Sequence, residues 1–183
     1  MDSCKDRPHW WLLRPEVDVT ELFRNSDLCT GPRLSAEMVR AAEQDLGVRL
    51  PSSYVEMLYV RNGGSLLRSC FPTSYRTSWA PDHFSVKALL GIGGKWGIDS
   101  SSGLGGSAYL IEEWGYPKIG VVVGLTPSGG HDTVMLDYSN CGPSGEPAIA
   151  YVDEDRVPRR VAGSFSAFVE GLVTPEQFPQ ADE

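Results

Sequence analysis

The sequence predicts an α+β fold: a single domain with one mostly antiparallel or mixed sheet, packed by helices on one side. Two helical stretches come first, near residues 35–47 and 51–62. Short apolar runs broken by Gly, Pro, Ser and Asp follow from Leu66, and a last helical stretch begins after Ser164. Helices, then strands, then a helix segregates the two kinds of element, the pattern of α+β folds rather than of alternating βαβ units. At 183 residues the chain fits one domain, and a chain of this size buries about 70% of the surface it exposes when unfolded. Residues 1–33 are expected to form an N-terminal extension packed on the core, 34–173 the domain, and 174–183 a loose tail.

Each element has its own signal. Trp10, Trp11, Leu12 and Leu13, then Val17, Val19, Leu22 and Phe23, suit a short helix that staples the extension to the core before Gly31 and Pro32. Ser35 is a good N-cap; Met38, Val39, Ala42 and Leu46 follow at helical spacing, and Gly47 supplies the stop. Pro51 suits the first position of a second helix, with Tyr54, Met57 and Leu58 on one stripe and Asn62-Gly63-Gly64 as a left-handed terminator. Strands are expected at 66–67, 84–90, 119–125 and 133–136, and a final one at 148–152. Between them, residues 107–114 suit a short helix carrying Glu112 and Glu113, after a flexible Gly/Ser-rich loop at 99–106. Ser164 then caps a closing helix with Phe165, Phe168, Val169 and Leu172 on one face.

Composition narrows the function. A formal net charge of -8 argues against a nucleic-acid or anionic-membrane surface, because phosphate binding draws its affinity from clustered Lys and Arg. A basic protein partner is attracted instead. The N-terminus has no apolar signal region and no stretch is long enough to span a bilayer, so a cytoplasmic location is expected. Cys4, Cys29, Cys70 and Cys141 are scattered with no C-x-x-C pair, which suggests reduced thiols rather than a zinc site or disulfide framework.

Catalytic signals are missing at the level of motif. His9, His83 and His131 adjoin no nucleophile motif such as G-x-S-x-G. His131-Asp132 follows Gly129-Gly130, a pair that supplies the positive φ of a hairpin turn. Gly91-Ile92-Gly93-Gly94-Lys95 is reminiscent of a phosphate loop, but Trp96 stands where Ser or Thr is required. Asp153-Glu154-Asp155 reads as a solvated acidic turn rather than a cation site, since consecutive residues of a strand alternate faces. No catalytic residue, cofactor or metal is therefore expected. The five Trp residues are mostly core volume, with exposure deciding which of them serve as interface anchors.

One combination is more specific. The run from Glu43 to Tyr54, EQDLGVRLPSSY, followed by Leu58 and Asn62-Gly63-Gly64, resembles the opening signature of the SUKH (Smi/Knr-like) superfamily. Two later blocks agree in order: 119–124 with Gly129, Gly130, Asp132, Leu136 and Asp137, and 149–154 with Val161, Ala162, Ser164, Phe165 and Phe168. The pattern departs at Met57-Leu58, where an aromatic is common, and over residues 69–106. The resemblance implies an α+β binding scaffold without a shared catalytic residue or cofactor. Many bacterial members are immunity proteins that block a cognate toxin, and others include a fungal cell-wall synthesis regulator.

The expected function is thus a non-enzymatic binding protein that occludes a toxin domain, a basic nuclease being the class that an acidic surface fits. Glu112, Glu113, Asp153, Glu154 and Asp155 are the candidate partner-binding residues. The alternative is a regulatory adaptor or small-ligand-binding module of the same fold.

Overall fold

The computed structural model describes residues 18–178. Trp10 to Leu13, Val17, Cys4 and His9 lie outside the described residues, as does the tail beyond Phe178. The described part of the extension contains α1 (Val19–Leu22), whose Val19 and Leu22 are buried together with Phe23. Residues 23–28 then run along β1 (Gly64–Ser65): Arg24 N donates to Ser65 O at 2.9 Å and Ser65 N to Leu28 O at 3.2 Å. That edge of the sheet is thereby covered, which removes an unpaired strand edge.

The two early helices form as their caps dictate. In α2 (Ala36–Leu46), Ser35 Oγ accepts from Met38 N at 3.2 Å, and Gly47 ends the helix at φ 68. Glu43 then fixes the turn that follows, its Oε1 accepting from Leu50 N at 2.8 Å. In α3 (Ser52–Val60) Pro51 sits at the cap, one place earlier than its fixed φ suggested. The helix ends on an extended Arg61, not on a left-handed terminator. Asn62 and Gly63 serve a different purpose. Asn62 is a buried pin, its Nδ2 donating to Pro32 O (2.6 Å) and Ile92 O (2.8 Å) and its Oδ1 accepting from Ile92 N (2.8 Å). Gly63, at φ 78, lies so close to the backbone of Gly91 and Leu89 that a Cβ would stand 2.7 Å from Gly91 N.

A small two-stranded sheet pairs β2 (Cys70–Pro72) with β3 (His83–Ser85). The main sheet joins β1 to β4 (Ala88–Leu89), β5 (Gly120–Leu125), β6 (Thr133–Asp137), β7 (Ala148–Val152) and β8 (Pro158–Ala162). Its six strands lie in the order β1-β4-β5-β6-β7-β8, antiparallel throughout, where the sequence left a mixed sheet open. The apolar run at 84–90 is therefore not one strand: it leaves the small sheet at Ser85 and enters the large one at Ala88. The strand expected at 66–67 ends at Ser65, and Leu67 is exposed. Nor is β7 the last strand, because β8 pairs beyond it.

Consecutive residues Val134, Met135 and Leu136 of β6, and Ile149, Ala150, Tyr151 and Val152 of β7, are fully buried. Both faces of the sheet centre are thus covered. A ladder of aromatic rings knits the core: Tyr54 meets Phe165 edge-on at 4.9 Å, and Phe168, Phe71, Phe84 and Tyr151 follow in stacked pairs at 5.1, 5.5 and 4.0 Å. Each such pair contributes about 0.5–1.5 kcal/mol beyond the area it buries. The ladder joins α3, α5 (Phe165–Gly171), the small sheet and β7 into one core. Ser164 caps α5 through Ala167 N at 3.2 Å. In the tail, Pro175–Gln177 makes a 3-10 turn and Phe178 stacks on His83 at 3.9 Å.

Candidate functional site

Three turns meet at one end of the sheet. The first is the C-terminus of α4 (Ser107–Trp114), a helix seated against β5 by Ser107 Oγ, which accepts from the buried Val122 N–H at 2.8 Å. The preceding loop at 99–106, expected to be flexible, is internally bonded: Gly106 N donates to Ser102 O and Ser102 N to Ser100 Oγ. Glu112 and Glu113 are exposed, while Trp114 is half-buried. The second turn joins β5 to β6 through Gly129 (φ 74) and Gly130 (φ 111), as the sequence predicted. Gly130 lies flat on the Trp114 indole, leaving no room for a Cβ. The third, residues 153–157, joins β7 to β8.

Arg156 ties the second and third turns together. It adopts φ 59, a left-handed conformation uncommon for a side-chain-bearing residue, and its Nη1 donates to His131 O at 2.6 Å. The guanidinium also lies 4.9 Å over the Tyr116 ring, a cation–π contact. Tyr116 in turn donates its hydroxyl to Gly130 O at 2.6 Å. Burial pushes the Tyr116 pKa up to about 12, so the hydroxyl stays a donor. Beneath the second turn, Asp132 is buried and accepts from the hydroxyls of Tyr151 (2.6 Å), Thr126 (2.5 Å) and Ser128. The sequence placed Asp132 in the turn but did not reveal these partners. Thr126 and Ser128 belong to the same turn, and Tyr151 is brought over by the β6–β7 register.

The acidic candidates divide by environment. Glu154 is exposed, with its Oε1 3.8 Å from His131 Nδ1, and the His131 ring centroid is 6.1 Å from that of Trp114. Through these neighbours Glu154 and the Glu112-Glu113 end of α4 share one end of the molecule. Asp155 is paired with Arg159 at 3.0 Å, and that hydrogen bond, aided by the Val157 amide, holds its carboxyl down to about 2. Asp153 is not part of the solvated surface. It is buried and accepts from Ser78 N (2.8 Å), Ser78 Oγ and Glu154 N (2.8 Å). Of the five candidates, Glu112, Glu113, Glu154 and Asp155 are exposed, Asp155 in its pair with Arg159, and Asp153 is buried.

Two features went unread in the sequence. One is the 73–82 loop between β2 and β3, which Asp153 fastens beside the third turn and which carries an exposed Trp79. Ser78 and Asp153 are 75 residues apart, so only the fold reveals the pair. The other is a mainly apolar groove of about 370 Å³ whose lining includes Leu46, Val48, Ile111, Lys118, Ile119 and Tyr138. Among the described residues, no group of three or more His, Cys, Asp or Glu is placed to hold a metal. Cys29, Cys70 and Cys141 are free thiols, the first two buried. No helix among the described residues is long and apolar enough to cross a membrane.

The fold and this surface define an α+β domain that presents shaped, charged turns around a single core. The family model of the SMI1-KNR4 cell-wall proteins, SUKH_6, matches residues 36–169, most of the chain, and the protein belongs to that family. The match runs from the first residue of α2 into α5 and so takes in the eight strands of the described residues. Neither the curated proteins nor the solved structures compared with the chain give a match.

Proposed function

We propose that the protein is a non-enzymatic, cytoplasmic binding protein that neutralises a cognate bacterial toxin domain by covering its active surface. Membership of the SMI1-KNR4 family supports a binding scaffold, and the observation that carries the reading is exposed Glu154 beside His131, whose ring neighbours Trp114 at the end of the helix that carries exposed Glu112 and Glu113. A net charge of -8 adds a long-range field that speeds encounter with a basic partner and discriminates against acidic ones. A nuclease is the partner of this kind, because its cleft is built to hold phosphate and an acidic face takes the place of the nucleic acid. Occlusion requires no chemistry. An interface of about 800 Å² per partner, held by a few central anchors, is enough to close a cleft and dissociate slowly.

Affinity capture with the tagged protein from native cells, at low and at high salt, tests this reading. A toxin domain retained at low salt, released at high salt and lost with the E112K/E113K/E154K variant is the expected result. A partner that ignores both salt and the charge reversal contradicts it. A second reading, a regulatory adaptor or small-ligand-binding module, is favoured by the groove of about 370 Å³ beside Lys118, a volume in the range of small-molecule sites.

A further inference from the structure

We infer that Trp79 is the hydrophobic anchor of the partner interface, that Asp153 is the residue that positions it, and that the partner offers an aliphatic pocket rimmed by Lys or Arg. The inference rests on the toxin-binding reading for the partner's charge, while the anchor itself rests on the geometry of the 73–82 loop.

Trp79 is 43% exposed, a costly state for the side chain with the largest apolar surface, yet its backbone is firmly held. Thr77, itself buried, donates its hydroxyl to His83 O at 2.8 Å and accepts from Trp79 N at 3.2 Å and Ala80 N at 3.0 Å. Thr73 N closes the base of the loop on Asp82 O at 2.7 Å. From the other side, Asp153 takes the Ser78 amide and hydroxyl, immediately before Trp79. A buried carboxylate costs several kcal/mol unless it is fully hydrogen-bonded, and here two of its three donors belong to this one loop residue. The Tyr75 ring meets the Arg159 guanidinium at 5.8 Å and braces the loop's near end against β8.

The arrangement holds an indole in solvent on a loop already fixed in place. Preorganisation of this kind lowers the entropy lost on binding, and Trp is the residue most enriched at interface hot spots. The charge of the whole chain, rather than of the loop, selects the occupant. Around the indole the charge is mixed, with Glu154 in the clamping turn and exposed Asp82 at the loop's end set against Arg76 within the loop and Arg159 on its Tyr75 ring. With the chain at -8 overall, a second copy is repelled and a basic surface is attracted.

A phage-displayed library of random peptides, selected on the full-length protein at low salt, supplies a probe in place of the partner itself. Enriched peptides are expected to combine Lys or Arg with aliphatic residues. They should bind Trp79→Ala at least 30-fold more weakly and Asp153→Asn about 10-fold more weakly. Tyr59→Ala, which removes an even more exposed aromatic on α3, should stay within twofold. Hydrogen exchange supplies the readout of positioning: the Ser78 amide should exchange faster in Asp153→Asn while β5–β7 amides keep their protection. A selection that enriches no Trp79-dependent peptide overturns the anchor, and an unchanged Ser78 amide overturns the role of Asp153. Trp79-dependent peptides that are neither basic nor salt-sensitive uphold the anchor and overturn the basic-toxin reading.

Discussion

Asp155 and Arg159 form a hydrogen-bonded ion pair at the surface, and its effect on the carboxyl has a definite sign. The hydrogen bond from Arg159, with the Val157 amide, holds the Asp155 pKa down to about 2, against about 3.9 in an unfolded chain. A depressed carboxyl stabilises the fold above its unfolded pKa, and that contribution is lost as the pH falls through the folded value. We therefore expect the Asp155 carboxyl carbon to titrate near pH 2 by NMR and to move toward about 4 in Arg159→Ala; a titration near 4 in the unaltered protein contradicts the pairing. Asp153, two residues earlier, shows what residue type alone leaves unread. The sequence identified three adjacent acids, but whether each is solvated, paired or buried depends on Arg159 and Ser78, partners set by the turn and by long-range packing. Trp79 was likewise one of five indoles, and among the three in the described residues exposure singles it out.

Among the elements, those with a cap and a helical period were legible. Ser35 and Gly47 bound α2, and Ser164 starts α5, because a side-chain oxygen satisfies an otherwise orphaned N–H and a glycine takes the left-handed stop. Ser164→Ala removes the bond to Ala167 N and is expected to cost about 1 kcal/mol in urea denaturation. Because Phe165 and Phe168 of α5 belong to the aromatic ladder, the loss should be felt globally rather than as local fraying; a change below about 0.3 kcal/mol would show that packing alone holds the helix start. The strands β5, β6 and β7 were legible as apolar runs between turn residues. β8 was not, since Pro158-Arg159-Arg160 lacks apolar alternation, and proline and charge are the marks of an edge strand. β2, with three residues of which one is Pro72, was too short to stand out. The 84–90 run hid a change of sheet, because both pieces are apolar and local pattern carries no partner information.

At the scale of the molecule, the family signature and the structure meet in the same residues. Leu46, Leu50, Tyr54 and Leu58 pack into or against the core, Asn62 pins two distant loops, and Phe165 and Phe168 close the aromatic ladder. These residues explain why the signature specifies a fold. The end proposed for partner binding lies in solvated turns, whose residues pack little into the core, so charge pattern was its sign in the chain. A core that specifies the fold, with the candidate site on its solvated turns, suits the proposed binding scaffold. The most direct measurement is protection of growth: cells that express the captured toxin domain, with either the unaltered protein or E112K/E113K/E154K expressed alongside it. We expect growth to be restored by the unaltered protein and lost with the charge-reversed variant at equal abundance. Growth that stays arrested with the unaltered protein, or that is restored equally by both, contradicts neutralisation through this acidic face.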